Sequence, residues 1–314
     1  MSGTTQGSAF HRVGAVAALI AFAVLAVDTA SAQFSQQRPQ QQKQRPQPSQ
    51  PNSAQQKQPD PSQQHWVWCL NEGKAFPADQ AISGCSALIQ SRKESGKRLA
   101  HAHYNRGISY RAKNDLDRAI ADFSEAIKID PREGEYLNDR GAAHHAKGDL
   151  DRAVSDYDQA IRVNPKLAEA FNNRGSALQR KGDFARASAD YGEVTKLQPT
   201  NAEAWSARCW ARAVAGRELQ QAVSDCDQSL KLKPNAADTL DSRGFAYLKM
   251  GKIDNAINEY NAVLKLDPKL APALYGRGVA RLKKGDKNGG SADIAAAKAI
   301  NSKIGEEMAR YGIR

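Results

Sequence analysis

An all-α fold built from repeated helical hairpins is what the sequence predicts, and three observations predict it. From about residue 100, prolines recur at Pro131, Pro165, Pro199, Pro234 and Pro268, at intervals of 34, 34, 35 and 34 residues. Glycines keep the same ruler at Gly107, Gly141, Gly175, Gly244 and Gly278, with Cys209 standing where the ruler demands the missing one. Apolar and small residues recur at helical spacing in two runs per unit, as in Tyr104, Gly107 and Tyr110, then Ala119, Ile120, Phe123, Ala126 and Ile127. Two amphipathic helices per unit follow, joined by turns such as Lys113-Asn114-Asp115 and Lys147-Gly148-Asp149.

The chain ahead of these units reads as an address and a tether. At 1–32, His11 and Arg12 precede an apolar run, Val13 to Val27, and Ala30-Ser31-Ala32 supplies a small-residue cleavage site. The run is shorter than the roughly 20 residues a membrane-spanning helix needs, so a cleaved secretory signal is expected, with an uncleaved membrane anchor as the alternative. Either way the bulk of the chain is exported and its cysteines can oxidise. Residues 33–64 hold 14 Gln and 6 Pro with one aromatic, Phe34. Such a segment buries too little surface to offset its ordering entropy and is expected to be disordered, with a reach from roughly 30 Å as a coil to about 100 Å as polyproline. It takes only a small part of the chain's net charge of +11.

A 34-residue helix-turn-helix with small residues at its eighth, twentieth and twenty-seventh positions, an aromatic at the twenty-fourth and Pro at the thirty-second resembles the tetratricopeptide repeat (TPR). Six units match over 100–304, starting at Ala100, Gly134, Ala168, Ala202, Ala237 and Ala271. Ala119, Ala153, Ala187 and Ala256 hold the twentieth position, and Phe123, Tyr157, Tyr191 and Tyr260 the twenty-fourth. The fourth unit carries an extra residue near Arg217 or Glu218. The sixth has Gly289 and Gly290 where good helix formers belong, so its second helix is expected to fray or start late. The resemblance implies a right-handed superhelical TPR solenoid. A divergent capping repeat at 65–99 and a C-terminal cap at 305–314, with Ile304, Met308 and Tyr311 on one face, complete it.

Two further columns emerge in that frame. Arg106, Arg140, Arg174, Arg208, Arg243 and Arg277 hold the seventh position, and Asp122, Asp156, Asp190, Asp225, Glu259 and Asp293 follow 16 or 17 residues later. Cross-helix ion pairs are the expectation; an arginine ladder for a polyanion is the alternative. Cys209 and Cys226, 17 apart in the unit with the extra residue, hold the eighth and twenty-fourth positions, and Cys69 and Cys85 are 16 apart in the capping repeat. These positions touch across a hairpin, so disulfides Cys69–Cys85 and Cys209–Cys226 are expected, against reactive or metal-binding thiols, for which no C-x-x-C is present.

The sequence has no P-loop, G-x-S-x-G, H-E-x-x-H or paired-carboxylate constellation, and the cap, units and tail leave no room for a second domain. No catalytic residue, metal site or cofactor is therefore expected. The resemblance implies a non-enzymatic scaffold that binds an unidentified protein or peptide, with no nucleic acid, on the concave face made by the first helices. Lining positions give Asn138, Asn172 and Arg180 as a polar half. Trp210, Phe245, Leu248 and Tyr275, with Lys249 and Lys283 beside them, give an apolar half in which Trp210 and Phe245 are the anchors. The expected place is the bacterial periplasm or cell envelope. The alternative function is a basic binder of anionic envelope polymer or lipid headgroups.

Overall fold

The computed structural model describes residues 60–313. The signal expected at 1–32, and the tether as far as residue 59, lie outside the described residues. The tether's last residues are already helix. Helix α1 (Pro61–Leu70) begins at Pro61, ahead of the boundary expected at residue 65. Asp60 caps it, its carboxylate accepting the Ser62 N–H at 3.0 Å, and Pro61 takes the first helical position, where a missing N–H costs nothing.

Fifteen α-helices run through the described residues, paired in order. The capping hairpin is α1 with α2 (Ala78–Ser91). The six units are α3 (Gly96–Ala112) with α4 (Leu116–Ile129), α5 (Gly134–Lys147) with α6 (Leu150–Val163), α7 (Ala168–Lys181) with α8 (Phe184–Leu197), α9 (Ala202–Ala215) with α10 (Leu219–Leu232), α11 (Ala237–Lys249) with α12 (Ile253–Leu266), and α13 (Ala271–Lys284) with α14 (Lys287–Ile300). A short α15 (Ile304–Arg310) follows. The turns are built alike. Gly148 and Gly182 end their helices at φ +84° and +83°, a conformation that penalises a Cβ, and Asp149 and Asp183 then cap the next helix by accepting the N–H of Arg152 and Arg186. First helices of neighbouring units meet one another, α7 and α9 excepted, while second helices stand apart, so the first helices line the inside of the curve.

The eighth and twenty-fourth positions face each other inside every hairpin. A Cβ on Gly107 would come within 2.7 Å of the Phe123 ring, and one on Gly141 within 2.8 Å of the Tyr157 ring, so the missing side chain is filled by the unit's own aromatic. Where cysteines replace that pair, disulfides join Cys69 to Cys85 and Cys209 to Cys226, with Cα separations of 4.6 and 5.4 Å. Glycine against aromatic and cysteine against cysteine are thus two solutions to one packing problem. The sixth unit departs from expectation: α14 starts on register at Lys287. Asp286 caps it by accepting the Gly289 N–H at 2.9 Å. Gly290 stands at the twentieth position, where a Cβ would lie 2.7 Å from Leu282 Cγ and 2.9 Å from the Gly278 carbonyl. Close approach of α13 and α14 compensates there for poor helix propensity.

All six arginines of the seventh position bind the acid across their own hairpin. Five are two-pronged, as in Arg140 with Asp156 at 2.9 and 2.7 Å, and Arg243 pairs with Glu259 at 2.9 Å. Each arginine also donates to the second helix of the hairpin before it: Arg106 to Ser86, Arg140 to Ser124, Arg174 to Asp158, Arg208 to Thr195, Arg243 to Asp227 and Arg277 to Asn261. The guanidinium's several fixed donors let one side chain hold both register within a unit and stacking between units. A second ladder runs along the turns, where Lys113, Lys147, Lys181 and Lys284 pair with Asp79, Asp117, Asp151 and Asp254 of the preceding hairpin.

Candidate functional site

The concave face divides into a closed half and an open half. In units four to six the side chains expected to anchor a partner are already committed to packing. Phe245 is 1% exposed and Leu248 4%, both inside a core shared with Cys209, Tyr260 and Val279, so neither can serve as an exposed anchor. Trp210 is half-buried, its ring 5.0 Å from Phe245 and 5.3 Å, edge-on, from Tyr311. The C-terminal segment takes part in this closure. Ile304, Met308 and Ile313 are buried in the same core, and Tyr311 crosses to meet Phe184 edge-on at 5.9 Å. Lys249 donates to the carbonyls of Val214 at 3.1 Å and Tyr311 at 3.3 Å, and burial pulls its pKa down. Tyr275 lies under the start of α15, near Gly305, and Lys283 is exposed.

Units one to three keep their inner face open, with one correction. Asn138 is 2% exposed and accepts the Asn173 side-chain N–H at 3.0 Å, so it ties two units together and is not available to a partner. Asn172 and Arg180 are exposed; Arg180 donates to the His145 carbonyl at 3.0 Å and keeps its remaining donors free of ion pairs. Beside them Asp139 accepts from Tyr104 at 2.8 Å and Arg111 at 2.9 Å. Burial, and then the charges of Glu133, Asp139 and Glu169, raise the pKa of Glu135. The open face is thus polar, with a carboxylate-rich side near the starts of its first helices.

Sequence reasoning did not find the cleft where the two halves meet. It has a volume of about 650 Å³ and is lined by Arg180, Phe184, Val214, Arg217, Arg310 and Tyr311 among others. Its signals are departures from the repeat: Phe184 stands where four other units carry Leu116, Leu150, Leu219 or Ile253 and the sixth Lys287, and Ala185 and Ala215 stand where the turn ladder carries Asp and Lys. A chain read unit by unit shows these substitutions, but the aperiodic tail that meets them has no place in the repeat.

Among the described residues, no helix is long and apolar enough to cross a membrane. The family models described as tetratricopeptide repeat match residues 100–133 and 172–237, and one described as TPR repeat matches 141–182 and 244–285. No curated protein matches the chain in sequence. Among solved structures, a tetratricopeptide repeat protein from Parabacteroides merdae is similar at 16% identity and TM-score 0.57, over 80% of this chain and 98% of that one. PilW, a type IV pilus biogenesis factor, is similar at 20% identity and TM-score 0.55, over 64% and 93%. At these identities the likeness is one of fold.

Proposed function

The chain belongs to the tetratricopeptide repeat family, and on that premise we propose that it is a non-enzymatic protein-interaction scaffold of the bacterial periplasm or cell envelope, taking a partner peptide on its concave face. The observation that carries this reading is the open, polar inner face of units one to three, in which Asn172 and Arg180 offer hydrogen-bonding groups that the fold leaves exposed. The paired cysteines and the expected signal support export. The polyanion alternative loses its most regular feature, because the six ladder arginines are bound to carboxylates, with side chains only 14 to 22% exposed.

Crosslinking capture from envelope extract, with the wild-type chain and an Asn172→Ala/Arg180→Ala variant as baits, tests the reading. Capture of a defined protein that is lost in the variant and persists in high salt is expected. The Debye length falls from about 10 Å at 0.1 M to about 3 Å at 1 M, so a purely charge-driven association collapses over that range. Capture that vanishes with salt and ignores the variant would instead favour the anionic-polymer function.

A further inference from the structure

The boundary between units three and four breaks the repeat's own rules in four ways, and all four meet at one place. First, the turn ladder is missing both partners: Ala185 and Ala215 replace the Asp and Lys found at three other junctions between units and at the junction with the cap. Second, α7 and α9 approach each other less than any other neighbouring first helices do, α9 packing on unit three chiefly through α8. Third, the extra residue of unit four lies in the turn after α9, where Glu218 takes a left-handed φ of 55° and Arg217 is exposed beside it. Fourth, the C-terminal segment returns from unit six and sets Arg310 and Tyr311 against Phe184. The junction of units four and five also lacks the ladder pair, with Gln220 and Met250 at its positions, so what is particular to the boundary between units three and four is that the four departures coincide. Together they open the cleft of about 650 Å³ described above.

The cleft's charge is one-sided. Arg217 and Arg310 make no ion pair among the described residues, and Arg180 is held only by a backbone carbonyl. Lys181 is spent on Asp151, and the one carboxylate in the lining, Asp183, is occupied as the cap of α8. An apolar edge made by Phe184, Val214 and Tyr311 runs beside the three cations. Resting on the scaffold reading above, we propose that this cleft docks an acidic segment of a partner protein. Its carboxylates meet Arg180, Arg217 and Arg310, and an apolar side chain from the same segment lies on the Phe184–Tyr311 edge. Arginine suits the role, since its planar fork meets carboxylates two-pronged.

The test uses the full chain and fluorescein-labelled twelve-residue peptides of four compositions: Asp/Glu with Phe/Leu, Asp/Glu with Ser, neutral polar, and Lys/Arg with Phe/Leu. Inorganic polyphosphate serves as a competitor, and binding is read by anisotropy. The acidic-apolar peptide is expected to bind tightest. Arg217→Glu/Arg310→Glu should weaken it by about tenfold or more with unchanged melting, since both side chains are exposed. A second variant needs no loss of side chains: Ala185→Asp/Ala215→Lys restores the ladder pair across the cleft and should block the peptide while leaving the fold at least as stable. Acidic-Ser peptide or polyphosphate binding as well as the acidic-apolar peptide would overturn the assignment in favour of a polyanion surface. So would binding that neither variant affects. Binding confined to the neutral or basic peptides, and lost in Asn172→Ala/Arg180→Ala, overturns the acidic-segment assignment and leaves the scaffold reading standing. No binding by any peptide overturns both.

Discussion

Replacing Phe245 by Ala gives the sharpest test of how the concave face is closed. An aromatic side chain withdraws about 150 to 250 Å² from water when fully buried. At about 25 cal/mol per Å² that is worth roughly 4 to 6 kcal/mol. Alanine retains part of that burial, and the half-buried Trp210 and Tyr311 can relax into part of the space, so a loss of about 3 to 5 kcal/mol is expected. An exposed lining residue such as Lys283 should change stability by less than about 0.5 kcal/mol when cut to Ala. Because a solenoid's units unfold semi-independently, the loss should concentrate in α11 to α15. Urea unfolding combined with hydrogen exchange reads it: amides of α11, α13 and α15 lose protection while those of α3 to α6 keep theirs. If Phe245→Ala and Lys283→Ala unfold at the same midpoint, Phe245 is not core, and the tail does not seal this half of the face.

Three other outcomes follow from the same physics. Asp241 has a buried, unpartnered carboxylate oxygen, and burial, with the charge of Asp238, pushes its pKa up to about 7. A carboxyl whose folded pKa lies above its unfolded value contributes stability that is complete below about pH 4 and lost as pH rises through about 7, so the chain should weaken over that window by up to ~4 kcal/mol. Asp241→Asn should flatten that part of the thermal-stability profile, and a profile as steep as wild type would refute the assignment. Gly141→Ala forces a Cβ to within 2.8 Å of the Tyr157 ring and should cost about 1 to 3 kcal/mol in urea unfolding. Cys209→Ala/Cys226→Ala opens a loop of separation 17 and should cost about 3 kcal/mol on the chain-entropy account, while reductant should add a pair of hydrogens per bridge to the intact mass of the wild type.

Periodic features were legible in the sequence because the same side chains solve the same contact in every unit. The small-against-aromatic positions, the cysteine pairs that replace them and the arginine-to-acid column are all read from spacing alone. What escaped was whatever depends on a single copy. Phe245 and Leu248 occupy lining positions, and nothing in their own unit says that a segment starting at Ile304 will join their core. Asn138 reads as a partner-binding amide until Asn173, one unit on, is seen to satisfy it. Gly289 and Gly290 predict fraying by propensity, but the Asp286 cap and the tight crossing on Gly278 outweigh about 1 kcal/mol per glycine.

The charge balance shows why position decides more than composition here. A net charge of +11 favours any anionic surface in a first reading. Yet the arginines that recur most regularly are neutralised by their hairpin acids, and removing either member would strand the other in a semi-buried site. The turn lysines are likewise paired wherever an aspartate faces them. Regular repetition therefore marks the charges that build the solenoid. The charges free to act on a partner are those that break the pattern, and Arg217, in the one lengthened turn, and Arg310, in the aperiodic tail, come to the same cleft from opposite ends of the repeat's exceptions. A repeat protein supplies its own reference sequence, so an unpaired side chain at a position that other units pair, or do not possess, is the place to look for recognition.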